Sequence, residues 1–318
     1  MIEYQNTGAI DQVQKPTDFN LSELASASEL PKEYKTPYTG VIYHQHKTPS
    51  CGAHAGSYIK NLQENKIHSP AYLWKRIKQL DGIPPENGTS MEMIFKALQK
   101  YGVCELSLLD NDTMLSLDKY TDSDVITPKM DLNALQSRIG AYGYLWNPTF
   151  DQIKRAIYDF KAVIVRVEIS ADFWTPSWNG TDILPLHTKF NGQGGHFMIL
   201  NGYDEKYIYG VNEWGDTWGN KGLFYFDESY LPRVTYIGTC FDYVEKSPFI
   251  FTRTLKQSMK GTDVGVMQQA LKDKGFFNNS VTSFFGMITL DAVKRFQKSK
   301  GLIPDGICGP KTQASLVQ

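Results

Sequence analysis

Cys51 opens a run of small residues, Cys51-Gly52-Ala53-His54-Ala55, that reads as the first turns of a buried helix. A cysteine attacks a carbonyl as its thiolate, so it needs a base and an electropositive setting. The N-terminus of a helix supplies the second, because the dipole there favours an anion. Two histidines offer the first. His54 lies three residues on, close to the same helix face, whereas His196 sits far downstream in Gly194-Gly195-His196-Phe197-Met198-Ile199-Leu200, a strand-like run. Asn212 follows His196 by sixteen positions in Val211-Asn212-Glu213-Trp214-Gly215, and Gln45 precedes Cys51 by six. Each residue alone is bland: a lone cysteine is usually a small core residue, and asparagine near glycine often just makes a turn. Together they describe a cysteine-nucleophile hydrolase, with attack, proton transfer and a third group to orient the base.

These neighbourhoods resemble the papain-like cysteine peptidase family over roughly residues 30–249, most of the chain. The family has the same step from glutamine to cysteine and from histidine to asparagine. The resemblance implies that Cys51 is the nucleophile, that His196 takes its proton and returns it to the leaving amine, and that Asn212 fixes the imidazole. It also implies an oxyanion hole made by Gln45 and the Cys51 backbone N–H, where losing one donor costs about 10²–10³ in rate. His54 falls where a phenylalanine is common and is a decoy base. Trp214 and Trp218 match two family tryptophans that shield the His–Asn hydrogen bond. Gly88 and Thr89 are expected to offer backbone groups to an extended substrate, since close approach favours glycine; Ser90 as a helix cap is the plainer use of the same loop. Gly194, Gly195, Phe197 and Trp214 complete the expected substrate contacts. Three departures stand out. Thr48 replaces a cysteine that forms a disulfide in the family, Gly52 replaces the aromatic after the nucleophile, and Phe197 replaces a small residue beside the S2 pocket, so S2 is expected to be reshaped.

Positioning such residues takes a sizeable fold, and 318 residues suffice for two domains with a substantial core. A net charge of −1, with 21% charged and 13% aromatic residues, points to neither nucleic acid nor membrane. No apolar run approaches the ~20 residues a membrane-spanning helix needs, and the first residues lack a basic stretch followed by an apolar core. Cys51, Cys104, Cys240 and Cys308 show no metal-ligand spacing, and neither metal nor cofactor is expected. With one thiol reserved for chemistry, free thiols and synthesis in a reducing cytoplasm are expected.

Helical periodicity covers Cys51 to about Gly102, with Tyr72 to Leu80 and Met91 to Tyr101 as later segments. After about Asn147 a helix at Phe150 to Phe160 precedes strands at Ala162 to Ile169, Phe197 to Leu200, Tyr207 to Val211 and Leu223 to Phe226, with an aromatic loop at 173–180. The expected fold class is α+β: a helical lobe and a β-barrel-like lobe with the cleft between them, over residues 30–251. Residues 1–29 are a polar extension, with a possible short helix at 22–30. Most secreted members of the family carry a far longer helical pro-segment before this point, which these residues do not resemble. Either no zymogen is needed or the arm plays a reduced inhibitory role, and a disordered tail is the simpler alternative.

Residues 252–318 change character. Phe285-Gly286-Met287-Ile288-Thr289, Ala292-Val293-Lys294-Arg295-Phe296-Gln297 and Asp305-Gly306-Ile307-Cys308-Gly309-Pro310-Lys311-Thr312 resemble the three-helix peptidoglycan-binding domain of bacterial and phage wall hydrolases. Val264, Met267 and Leu271 make one apolar face and Ala292, Val293 and Phe296 another, so most of the motif maintains the fold. From Arg253 on there are ten Lys and Arg against four Asp and Glu, a balance suited to an anionic wall polymer. The leading reading is a monomeric cysteine endopeptidase, with a peptide or protein substrate, tethered to the bacterial wall or virion-associated. Its alternatives are a hydrolase of wall stem peptides or cross-links and a non-catalytic wall-binding protein.

Overall fold

The computed structural model describes residues 8–24, 29–38, 40–169, 194–242 and 253–317. The chain divides into two compact units, Met1–Tyr243 and Val244–Gln318. In the first, α1 (Cys51–Glu64) is buried from Cys51 to Leu62. Its small residues permit this: a Cβ at Gly56 would lie 2.7 Å from both Ile94 and Leu73 side chains. Around it pack α2 (Pro70–Asp81), capped by Ser69, and α3 (Met91–Lys100), whose N-cap Ser90 accepts from Met93 N–H. Two short helices follow, α4 (Leu117–Thr121) and α5 (Pro128–Ala134).

The other half, among the described residues, is a seven-stranded sheet. It comprises β1 (Tyr34–Lys35), β2 (Ile139–Trp146), β3 (Val163–Glu168), β4 (Gly195–Tyr203), β5 (Ile208–Val211), β6 (Leu223–Phe226) and β7 (Val234–Asp242). All pairings are antiparallel in the order β2-β7-β3-β4-β5-β6, with β1 also on β4. Alternation decides which core each side chain joins. Val163, Val165 and Val167 join Ile153 and Ile157 of α6 (Phe150–Phe160), while Ile164, Phe197 and Tyr236 join the core under α1–α3.

The sequence places the onset of strands after Asn147, but β2 precedes it and β7 closes the unit. Both strands have residues buried on each face, which removes the alternation that periodicity relies on. The expected tail is also corrected for residues 8–24. Ala9 bridges Thr89 and Gly195, Tyr144 N–H donates to Phe19 O (2.9 Å), and Leu21, at the start of a 3-10 turn (Leu21–Leu24), is buried. Main-chain pairing, which leaves no hydropathy pattern, holds this polar segment in place. The aromatic loop at 173–180 and part of the possible helix at 22–30 lie outside the described residues. All four cysteines are buried, and none forms a disulfide. Among the described residues no helix is long and apolar enough to cross a membrane.

The second unit packs α7 (Thr262–Asp273), α8 (Met287–Ser299) and α9 (Pro310–Val317) around Val264, Met267, Leu271, Phe285, Val293 and Phe296. Buried glutamines fasten its loops. Gln268 Nε2 donates to Phe284 O and Thr289 Oγ1 (both 2.9 Å), and its Oε1 accepts from Thr282 and Ser283 N–H. Gln297 repeats the pattern with Asp305, Ile307, Thr312 and the Gly306 N–H. Because each leaves several buried partners unmet if removed, Gln297→Ala is expected to cost about 2–3 kcal/mol. Amide hydrogen exchange over 304–312 reads the loss, and unchanged protection there would refute it.

Candidate active site

Main-chain pairing assembles the candidate residues from three distant segments. Residues 43–45 run beside 213–215, with Gln45 N–H donating to Glu213 O (2.8 Å) and Gly215 N–H to Tyr43 O (3.0 Å). This sets Gln45 next to Asn212, which leaves the end of β5 and donates its N–H to Gly222 O (2.9 Å). His196, on β4, lies opposite Val167 of β3. Its Nε2 is 2.8 Å from Asn212 Oδ1, which also accepts from the Glu213 N–H. Cys51 Sγ, a ring nitrogen of His196 and a carboxylate oxygen of Glu213 all lie within 4.8 Å of one another. The Trp214 ring lies over His196, with centroids 4.7 Å apart, and Trp218 meets Trp214 edge-on. Gln45 donates one amide N–H to Thr48 O (2.8 Å); the amide carries a second.

Gly52 has a packing reason. A Cβ there would lie 2.7 Å from Thr89 Cγ2 and 2.9 Å from Ile94 Cδ1, so these side chains fill the space an aromatic would take. His54 is committed elsewhere. Its Nδ1 donates to Ser50 O (2.9 Å), and its Nε2 accepts from the Asn111 amide, whose oxygen accepts from Tyr120 (2.7 Å). Burial pulls its pKa down to about 3, so the unfolded chain takes up a proton first. Its contribution to stability is therefore complete above about 6.5 and drains as pH falls toward 3, by roughly 1.4 kcal/mol per pH unit. We expect the thermal midpoint to fall steeply below pH 6 and His54→Gln to flatten that fall; equal slopes would exclude it.

Glu213 is the residue that sequence reasoning passed over. It is fully buried, and its Oε1 lies 3.2 Å from His196 Nε2. Burial raises its carboxyl well above the carboxylate range. Burial also lowers His196 to about 4 and, with Glu213 second, lifts the Cys51 thiol to about 12. A charged residue beside Asn212 was the available signal, but glutamate is so rarely buried that it reads as surface. Cys51, His196 and Glu213 also form the kind of donor set that holds a thiophilic cation.

The N-terminal arm lies against the Cys51 sulfur. Thr89 N–H donates to Gly8 O (2.8 Å), Ile10 N–H to Thr89 O (2.9 Å) and Ala9 N–H to Gly195 O (3.3 Å). The backbone of Gly8, with those of Phe197 and Gly52, hydrogen-bonds the Cys51 sulfur. The arm thus lies between Thr89 and Gly195, two of the expected substrate contacts. Gly88 takes φ +79°, and a Cβ on it would meet Gly8 O at 2.0 Å. Gly194 (φ +108°) accepts from Ile169 N–H (3.1 Å). Phe197 and Trp214 are fully buried, Trp214 against His196.

Comparison with known proteins divides along the same two units. A family model for a peptidoglycan binding domain matches residues 260–316. Curated relatives include a "Probable N-acetylmuramoyl-L-alanine amidase" of Bacillus licheniformis, 49% identical over 65 residues, which are 19% of this chain and 18% of that protein. A spore cortex-lytic enzyme of Bacillus cereus is 36% identical over 66 residues, covering 21% of this chain and 26% of that protein. The chain thus spans about a fifth to a quarter of the length of these relatives. Among solved structures, xylellain, a cysteine protease from Xylella fastidiosa, superposes with TM-score 0.64 at 17% identity, covering 76% of this chain and 99% of that one. A digestive procathepsin L 3 of Tenebrio molitor larval midgut gives 0.59 at 16%, over 76% and 77% of the two chains. The chain therefore combines a papain-like fold with a helical peptidoglycan-binding-type unit.

Proposed function

We propose, from a papain-like fold joined to a wall-binding-type unit, that the chain is a cysteine endopeptidase tethered to bacterial peptidoglycan through residues 252–318. The observation that carries this reading is the His196–Asn212 hydrogen bond of 2.8 Å beside a cysteine at the first turn of α1. Cys51 gives its proton to His196 and attacks the carbonyl carbon. The oxyanion draws on the Cys51 N–H and the Gln45 amide. His196 then protonates the leaving amine, and water, activated by the same histidine, releases the acyl group from sulfur. Asn212 keeps the imidazole oriented, with Trp214 covering it. Thr89 and Gly195, which bind the arm through main-chain groups, bind an extended substrate in the same way. Residues 8–15 act as an internal inhibitor, since they occupy that groove and keep the thiol protonated.

Cleavage of wall stem peptides or cross-links is a second reading, favoured by the match of residues 260–316 to a peptidoglycan binding domain and by the amidase relatives. A non-catalytic wall-binding protein is the third; the arm across an assembled Cys–His–Asn set weighs against it. Purified sacculi incubated with wild-type protein and with Cys51→Ala, followed by mass spectrometry of the soluble products, separate the three. Muropeptides released by wild type alone establish the second. Cosedimentation without such fragments, joined to Cys51-dependent cleavage of protein substrates, establishes the first. Cosedimentation with no cleavage of either, by wild type and by the chain lacking residues 1–20 alike, leaves the third.

A further inference from the structure

One line of residues across the sheet is out of keeping with the core it faces. Register aligns Trp146 of β2 with Tyr236 of β7, Tyr236 with Arg166 of β3, and Arg166 with Phe197 of β4. Ile164, two residues before Arg166, lies in the core under the helices, so this line faces the same side. There the sequence puts a guanidinium, with only 4% of its side chain exposed. A buried guanidinium is costly unless it is paired and its donors are met. Nη1 donates to Thr235 Oγ1 (3.1 Å) and lies 4.0 Å from Glu168 Oε1. Nη2 is 2.6 Å from Asp11 Oδ1, an exposed carboxylate on the arm. Arg166 Nε, Trp146 Nε1 and Tyr236 Oη, all buried, have no hydrogen-bond partner among the described residues. Trp146 and Tyr236 rings lie 4.5 Å apart, so these donors belong to one patch. Gly195 makes room for the patch: a Cβ there would sit 2.6 Å from Arg166 Nη2 and 2.7 Å from Ala9 O.

The nearest counter-ion of Arg166 therefore belongs to the segment that must leave before anything is cut. With the arm displaced, a guanidinium fork and two aromatic donors remain, and Glu168 is too distant to meet them all. This is the chemistry that recognises a carboxylate through paired, charge-assisted hydrogen bonds. Position along the cleft follows from the arm itself. Gly8 touches the Cys51 sulfur and Asp11 reaches Arg166, three residues on, which in extended chain is about 10 Å.

We propose that Arg166, with Tyr236 and Trp146, forms a carboxylate subsite that selects substrates bearing an acidic group two or three residues from the scissile bond, and that Asp11 fills it while the arm is docked. The inference rests on the peptidase reading and gives it a substrate class. The acidic group is an aspartate or glutamate side chain of a protein, or a free carboxylate of a wall stem peptide.

The test uses full-length protein and fluorogenic peptides that carry Glu or Gln at each position flanking the cleaved bond, alongside muropeptides with free or amidated carboxylates. We expect kcat/KM to favour the acid at one position by about tenfold or more. Arg166→Gln brings that ratio to near unity, mainly through KM, while Arg166→Lys keeps part of it and serves if the glutamine variant does not fold. The arm whose acid member is preferred, protein-type peptide or muropeptide, identifies the source. Cleavage without preference, or a preference that survives Arg166→Gln, overturns the subsite and leaves the peptidase reading standing. If no probe is cleaved, either by the full-length protein or by the chain lacking residues 1–20, the peptidase reading fails and the subsite is judged by calorimetry on Cys51→Ala with the same Glu and Gln peptides. Tighter binding of the Glu peptide, strengthened by Asp11→Asn and lost in Arg166→Gln, supports it; equal or absent binding overturns it.

Discussion

Cys51→Ala, His196→Ala and the double variant are all expected to reduce kcat/KM to the same floor, at least about 10⁴-fold below wild type. Groups that act as one unit are grossly non-additive, because losing either partner already removes the step that both perform. The geometry is what makes them a unit here: thiol and imidazole converge within 4.8 Å, and the imidazole is held by Asn212. Cys51→Ala removes only one sulfur from a buried site, so the protein is expected to stay folded and, on the proposed tethering, to cosediment with sacculi as wild type does. Steady-state kinetics on a protein substrate measure the floor. If the two single losses multiplied in the double variant, the residues would act independently and the reading of the pair would be wrong. Gln45→Ala is a milder case, at about 10²–10³.

Much of this constellation is legible in the sequence because each member sits in a distinctive neighbourhood: a small-residue helix start for Cys51, a glycine pair before His196, two tryptophans after Asn212. Helices α1–α3 and α6 and strands β3, β5 and β6 are also readable from periodicity and turn residues. What escapes is set by partners far away in the chain. β2 and β7 are recognisable only once each has the other. Arg166 looks like a stray charge in a β-branched run until Asp11 is placed beside it. Glu213 looks like a surface residue until His196 is found 3.2 Å away. Residues 8–20 carry no hydropathy signal because backbone groups hold them.

Deleting residues 1–20 is expected to speed alkylation of Cys51 by iodoacetamide at pH 7.5 by at least about a hundredfold. Only the thiolate reacts. In the intact chain burial raises the thiol to about 12, so a thiolate appears only as pH climbs toward that value. Freed of the arm, the sulfur regains water, a gain larger than the loss of the Gly8 hydrogen bond, which by itself favours the thiolate. The helix N-terminus and a now protonatable His196 then stabilise the anion. The rate–pH profile separates the two states: still rising at pH 9 for the intact chain, level well below that for the truncated one. Mass spectrometry of the modified peptide assigns the label to Cys51 against Cys104, Cys240 and Cys308. Equal rates would mean that the arm does not govern the nucleophile. Activity on protein substrates should rise in step with labelling.

The same strip of backbone sets how the molecule ages. Peroxide converts a thiolate first to a sulfenic acid and then to acids that few systems reverse. On the proposed reading the arm denies peroxide both charge and access at the sulfur, so a dormant molecule is expected to resist oxidation. From the moment the groove opens, the form that cuts is also the form that oxidises. The working life of each molecule is therefore timed from its release rather than from its synthesis.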